Sequence, residues 1–404
     1  MELDHVDLFD PDTFVPGVPH ERFAELRREA PVFVHDTDTS RYWCVTRHED
    51  LVAVNRDAGA FSSWERTALL DVDDPEVLEQ QRMMMLNMDP PEHTKLRKIV
   101  NKGFTPKMIR GLRDHLAEEA ERIVAEAVEH VDVDVVEQVS AELPLIAIAE
   151  FLGVPREDRR VIFDLTNRLI GSEDPEYQQD AGVGAAAAME MYAYSQALAD
   201  DRRANPRDDI VSTLLAAEVD GERLSELEFN LFFMLLAVAG NETTRNAISH
   251  GVLALLEHPD QQQLLRDDPS SIPGAVEEIL RWATPVMQFR RQTTRPVTIA
   301  GVDVPEDEAI VFWHISANRD ETVFDDPYAF RVDRSPNPHT GHVAFGGGGP
   351  HFCLGANLAR AEIEVVVTEL LRQAAWEQTG PAERLRSNFI NGIKHLPVRL
   401  TPAT

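Results

Sequence analysis

The chain has 404 residues, of which 43% are hydrophobic and 27% charged, the proportions of a folded globular protein. Its formal charge of −31 argues against nucleic acid as a partner, because phosphate binding needs a basic face. With only two cysteines, Cys44 and Cys353, neither a disulfide framework nor a multi-cysteine metal centre is expected.

No low-complexity tract, repeat or linker divides the sequence, so residues 1–404 read as a single domain. The segment Met1–His5 lacks the basic and apolar regions of a signal peptide. Together with the scarcity of cysteine, this predicts a reducing cytoplasm. The longest apolar run, Leu231 to Ala239, is too short to cross a bilayer, so no stable membrane insertion is expected.

Along the chain, strand signals open at Val32–Val34 and Tyr42–Val45. Helical periodicity then dominates from about Glu92 to Leu280. Within it, His93 and Arg97 lie four apart and share a helix face. Between Lys95 and Arg113 stand seven basic residues (Lys95, Arg97, Lys98, Lys102, Lys107, Arg110 and Arg113) and no acidic one. Such a run is either a solvated face or a docking patch for an acidic protein.

Amphipathic helices are predicted near Ile109–Val128, Ala141–Leu152, Asp158–Leu169, Ala185–Asp201 and Asp209–Glu218. The longest begins at the capping box Ser225-Glu226-Leu227-Glu228 and runs to Glu257. At 1.5 Å per residue it spans about 48 Å, enough to cross a domain. Its apolar middle is interrupted by Ala239-Gly240-Asn241-Glu242-Thr243-Thr244, which predicts a widened turn at a functional site. Next come the helical pair Glu278 and Arg281, on one face at i and i+3, and strands at Thr298–Ile299 and Ile310–Phe312. A last strand is predicted at Val398–Leu400. The fold class is mainly α with a smaller β-rich lobe (α+β). The helical lobe covers roughly 85–285 and 355–375, and the strand-rich lobe roughly 25–60, 285–335 and 385–404.

The segment Phe345-Gly346-Gly347-Gly348-Gly349-Pro350-His351-Phe352-Cys353-Leu354-Gly355 sets a lone cysteine at the mouth of the helical run Ala356 to Leu371. A phosphate-cradling loop would end in Gly-Lys-Ser/Thr, and this one does not. A lone cysteine is most often a small buried hydrophobe. A thiolate at a helix N-terminus, however, is favoured by the dipole and unpaired amides. Such a sulfur suits an axial ligand of haem iron.

Taken in order, the helical His93-x-x-x-Arg97, Ala239–Thr243, Glu278-x-x-Arg281 and the cysteine loop resemble the cytochrome P450 haem-thiolate monooxygenases along nearly the whole chain. The resemblance implies the cytochrome P450 fold, a long central helix over haem, and haem b (iron protoporphyrin IX) ligated through iron by Cys353. It implies haem contacts at Ala239, Gly240, Phe345, Gly346 and Gly355, and propionate contacts at His93, Arg97, Arg291 and His351. Arg290 adjoins Arg291, and a swapped role stays open. Glu242 would feed protons and Thr243 would steady the reacting oxygen, while Gly240 would open space for it. Glu278 and Arg281 would form a structural network with Arg331 or Arg334. Compared with the family pattern, Phe345 stands eight rather than seven residues before Cys353, which predicts a bulge near Gly346–Gly348.

Met85–Asp89 and Phe389–Pro397 look like the actinobacterial branch that oxidises sterols and methyl-branched lipids. The implied reaction hydroxylates a steroid, terpenoid or branched lipid with O2 and electrons from NAD(P)H through ferredoxin reductase and ferredoxin. The ferredoxin would dock near Lys98, Lys102, Lys107 and Arg110. Leu236, Ala239, Thr243, Val286, Met287 and Ile390 would face the substrate, and Trp64 to Met85 would form a lid. The competing readings are a non-catalytic haem gas sensor or carrier, and a member that uses peroxide or catalyses a rearrangement.

Overall fold

The computed structural model describes residues 6–37, 40–68, 75–170, 174–176, 182–207, 209–218, 221–334 and 341–403. The chain divides into two compact units, each drawn from three stretches. One comprises Met1–Thr94, Glu257–Cys353 and Arg384–Gly392, the other Lys95–Leu256, Leu354–Glu383 and Ile393–Thr404.

The first unit is built on a five-stranded sheet in the order Val32–Asp36, Arg41–Val45, Ala309–Trp313, Gln288–Thr293, Phe61–Ser62. Arg41–Val45 runs parallel to Ala309–Trp313, and the other pairs are antiparallel. All five residues of Ala309–Trp313 are buried, as befits a central strand covered on both faces. One cluster gathers Val45, Leu51, Val54, Ile310 and Phe312. The other gathers Phe23, Leu26, Tyr42, Cys44, Val311 and Trp313. The split follows the alternation of side chains along each strand.

The strand Gln288–Thr293 was missed in the sequence, because Gln-Phe-Arg-Arg-Gln-Thr carries too little apolar alternation. The helices Pro259–Asp267 and Ile272–Ala283 also belong to this unit.

In the second unit the helices Pro106–His130, Glu142–Phe151, Arg159–Ile170, Val183–Ala204 and Ile210–Ala216 fall where the periodicity places them. Ala356–Gln373 packs on Pro106–His130, and Arg159–Ile170 packs on Val183–Ala204. A three-stranded sheet sets Pro397–Pro402 between Asp132–Asp134 and Ala374–Gln378.

The long helix spans Glu226–Glu257. Its capping box is reciprocal: Ser225 N donates to Glu228 Oε2 at 2.8 Å, and Glu228 N donates to Ser225 Oγ at 3.2 Å. The expected widened turn is absent, and residues 239–244 are regular α-helix. A Cβ on Gly240 would lie 2.8 Å from Ile148 Cδ1, so the glycine serves the close approach of the helix Glu142–Phe151. That packing outweighs the intrinsic cost of glycine. A π-helical turn lies instead at Val136–Ser140.

Candidate active site

In the first unit the cysteine loop is closed by its own backbone. Cys353 N donates to Phe345 O at 3.0 Å, and Gly346 N donates to Val343 O at 2.9 Å. Gly346, Gly348 and Gly349 take φ of 88°, 97° and 78°, a left-handed backbone that glycine adopts without strain. At Gly349 a Cβ would lie 2.1 Å from Asn55 O, in the helix His48–Arg56. Only glycine allows that approach. Cys353 is exposed, three residues before the helix Ala356–Gln373, whose N-cap is Gly355. Cys44 lies in the core, where burial pushes its thiol up and out of thiolate chemistry.

Behind this loop stands a group of basic side chains. The rings of His93 and His351 lie 4.1 Å apart, and Ser63 Oγ lies 3.1 Å from His351 Nε2. Arg291 is 4% exposed and reaches over the Phe312 ring, with its Nη1 donating to Arg290 O at 2.7 Å. Burial drives its pKa down to about 10 against the pull of Asp89. Asp89 itself accepts from Ser62 Oγ and from Ser63 N.

Among the described residues no carboxylate lies within ion-pair distance of Arg291, so a buried cation here is suited to an anion from outside the chain. A porphyrin propionate meets that requirement, and the residues present fit haem. Arg290 points to the other face of its strand, toward Arg66 and Tyr42. His314, also buried, is held neutral with a pKa lowered to about 3, first by burial and then by Arg291. No periodic pattern in the sequence pointed to it.

Glu278 and Arg281 form a buried bidentate pair, both contacts 2.7 Å. Arg334 Nε donates to Glu278 Oε2 at 3.0 Å, which makes it the third side chain. Arg331 contributes its backbone N–H to Glu278 Oε1 at 2.9 Å. Arg281 also donates to the carbonyls of Asn318 and Pro327.

In the second unit Glu242 is 3% exposed and pairs with Arg245. Asn246 Nδ2 donates to its carboxylate at 2.8 Å. Thr243 Oγ1 donates to Ala239 O at 2.8 Å, one turn back. Ala239 is exposed and Thr243 half-buried in a helix otherwise largely buried, which leaves one open stripe at its middle. Leu236, by contrast, is buried at 9% exposure. Arg97 is half-buried, one helical turn beyond His93.

The family model for cytochrome P450 matches residues 156–395. The chain is 45% identical over 97% of its length to a steroid C26-monooxygenase of Rhodococcus jostii, covering 84% of that protein. The chain is a cytochrome P450. It is 43% identical over 93% of its length to a methyl-branched lipid omega-hydroxylase of Mycobacterium bovis, covering 90% of that protein. Among solved structures it resembles a Mycobacterium marinum cytochrome P450 in complex with pseudoionone, with a TM-score of 0.91 and 38% identity over 99% of both chains. It also resembles CYP109E1 from Bacillus megaterium in complex with testosterone, with a TM-score of 0.82 and 35% identity over 95% of this chain and 99% of that one. The cytochrome P450 family is one of haem-thiolate monooxygenases carrying haem b.

In this P450, Val286 and Ile390 form a β-bridge, and Met287 N donates to Phe389 O at 2.8 Å. Met287 is 1% exposed and its side chain belongs to the cluster around Trp313, so it is core rather than pocket lining. Phe289, missed in the sequence, is half-buried and meets His314 and Phe389 edge-on. Of the expected lid, residues 69–74 lie outside the described residues, and Trp64 is exposed under Arg82.

The basic run of this P450 is less free than its sequence implied. Lys95 faces Glu222 at 3.4 Å, Arg113 pairs with Glu364 at 2.6 Å, and Lys102 Nζ donates to Glu218 O at 2.6 Å. Lys98 and Arg110 are exposed, and the Lys107 side chain lies outside the described residues. No helix among the described residues is long and apolar enough to cross a membrane.

Proposed function

We propose that this P450 hydroxylates a hydrophobic steroid, terpenoid or methyl-branched lipid, with electrons from NAD(P)H delivered by a ferredoxin reductase and a ferredoxin. One oxygen atom enters a C–H bond and the other leaves as water. The names of the relatives support the substrate class, and the exposed sulfur of Cys353 ahead of a helix carries the reading. Haem, when bound, supplies oxygen activation through an iron whose thiolate ligand promotes O–O cleavage.

Cys353 holds the iron, its position fixed by the hydrogen bond to Phe345 O and by the left-handed glycines. Gly346 and Gly355 leave the loop and the helix mouth without side chains against the ring. Arg291, His351, His93 and Arg97 take the propionates. Arg291 is chosen over Arg290 because it shares its surroundings with Asp89, to which Ser63 and then His351 connect. Glu242 holds the proton source in a buried carboxylate, and Thr243 presents a hydroxyl beside the open stripe at Ala239. Val286, Phe289 and Ile390 line the substrate side. Lys98 and Arg110 offer the charge that an acidic ferredoxin would meet, and a cytoplasmic location follows from that partner.

The acid–alcohol pair favours oxygen-driven turnover over gas carriage or peroxide use. The reading is tested by the reduced carbon-monoxide spectrum. Cys353→Ser abolishes the thiolate band, whereas an unchanged band assigns the ligand elsewhere.

A further inference from the structure

His314 directly follows the strand Ala309–Trp313, and alternation sets it on the face of Ile310 and Phe312. The register places Arg291 opposite Ile310 and Phe289 opposite Phe312, so both share that face. Packed with Ile310 and Phe312 are Leu51 and Val54 of the helix His48–Arg56, and Val343, two residues before Phe345. A Cβ on Gly347 would lie 3.0 Å from Val52 and 3.2 Å from Leu51 Cδ2. The sheet face that carries His314 is therefore the one on which the ligand loop is seated.

The His314 ring lies 5.4 Å from the Phe312 ring and 5.7 Å from that of Phe289. The Arg291 guanidinium lies 5.4 Å from the same Phe312 ring. His314 is 3% exposed, and burial and Arg291 keep it neutral, so one ring nitrogen carries a hydrogen and the other a lone pair. Among the described residues neither nitrogen has a hydrogen-bond partner, and Nδ1 is enclosed whereas Nε2 is not. A proton on Nδ1 would be a buried donor with nothing to receive it, so the proton belongs on Nε2. A phenylalanine or leucine would fill a place among these rings without leaving a polar atom unmatched. A donor kept beside a buried cation that has no carboxylate of its own points to the same outside anion.

We propose that His314 is a further haem-binding residue, whose Nε2–H donates to the propionate taken by Arg291. The assignment rests on the propionate role given to Arg291 in the reading above. The guanidinium supplies the charge, and the neutral imidazole adds a directed hydrogen bond without bringing a second cation into the buried site.

The test follows haem release to excess apomyoglobin from protein loaded with haem b, and from protein loaded with its dimethyl ester, in which both propionates are masked. His314→Phe should release haem b about ten-fold faster than the wild type and release the ester at the wild-type rate. His314→Gln keeps an N–H donor and should recover most of the retention. Equal acceleration for both pigments would make the ring a packing residue and overturn the proposal, as would unchanged release of haem b. Arg291→Gln separates the two assignments. Faster release of haem b alone in that variant, with His314→Phe silent, removes His314 and leaves the propionate role of Arg291 standing. If Arg291→Gln is also blind to esterification, both fall. Wild-type protein that shows the expected dependence on His314 yet lacks the thiolate band keeps the contact and loses the monooxygenase reading.

Discussion

The carboxylate of Glu242 accepts a hydrogen bond from Asn246 Nδ2 at 2.8 Å, one turn further along the same helix. Asn246 Oδ1 in turn accepts from the amide of Ile393 at 3.0 Å. Arg245 closes on the same carboxylate and reaches Asn167 Oδ1 at 3.3 Å. The acid is therefore buried yet compensated, with hydrogen-bond partners where an isolated carboxylate would have none.

Glu242→Gln keeps the shape of the side chain and removes the charge. Coupled turnover should fall about ten- to hundred-fold, while the thiolate band is retained. The check is product formed per unit time with saturating electron donor. Undiminished turnover would remove Glu242 from proton delivery.

Thr243→Ala should leave NAD(P)H consumption running while product falls and hydrogen peroxide accumulates. Thr243→Ser keeps the hydroxyl that now donates to Ala239 O, so it should retain most of the coupling. Measuring peroxide against product separates the two variants. Equal coupling in both would show that the hydroxyl has no part in the relay.

Glu278→Gln leaves Arg281 and Arg334 sharing a neutral partner in a buried site. Breaking a buried pair of this kind costs about 3–5 kcal/mol. Denaturant unfolding of the haem-loaded protein should show a loss of that size. A loss within experimental error would mean that the carbonyls of Asn318, Pro327 and Ala329 suffice to hold Arg281.

His395 lies 2.6 Å from Asp134 and 3.1 Å from Glu176, with Lys394 also on Glu176. Burial works against its charge, but the two carboxylates outweigh it and hold its pKa above the usual histidine range. A raised folded pKa stabilises the fold below the unfolded value of about 6.5, and that contribution is lost as pH rises through the folded value. The wild type should therefore lose more thermal stability than His395→Gln between mildly acidic and mildly alkaline pH. Parallel pH profiles for the two proteins would refute the coupling.

Lys98→Glu with Arg110→Glu should slow reduction by an acidic ferredoxin several-fold at low salt, with the difference shrinking as ionic strength rises. Stopped-flow reduction at two salt concentrations reads this directly. Lys102 is a poorer target, because its ammonium already caps the carbonyl of Glu218. A rate insensitive to both substitutions would leave the run as a solvated face.

Much of the molecule was legible in the sequence because local chemistry and global packing agree. Ser225 and Glu228 announced the start of the long helix, and the 3.6-residue period placed the helices before it. What failed to show was decided by partners distant in sequence. The choice between Arg331 and Arg334 depended on which guanidinium returns to Glu278. Gly240 read as a functional break and proved to be a seat for Ile148. Met287 read as pocket lining, but strand geometry turned it into the core. Lys95 and Arg113 looked like free charge until Glu222 and Glu364 were folded against them.

Because Gly349 rests on the Asn55 carbonyl with no room for even a methyl group, the ligand loop takes its height from the last turn of His48–Arg56. A side chain that nudges that turn would lift the sulfur four residues further on. The helix His48–Arg56 thus acts as a shim under the ligand loop, so that a substitution in it would move the loop without touching Cys353 itself.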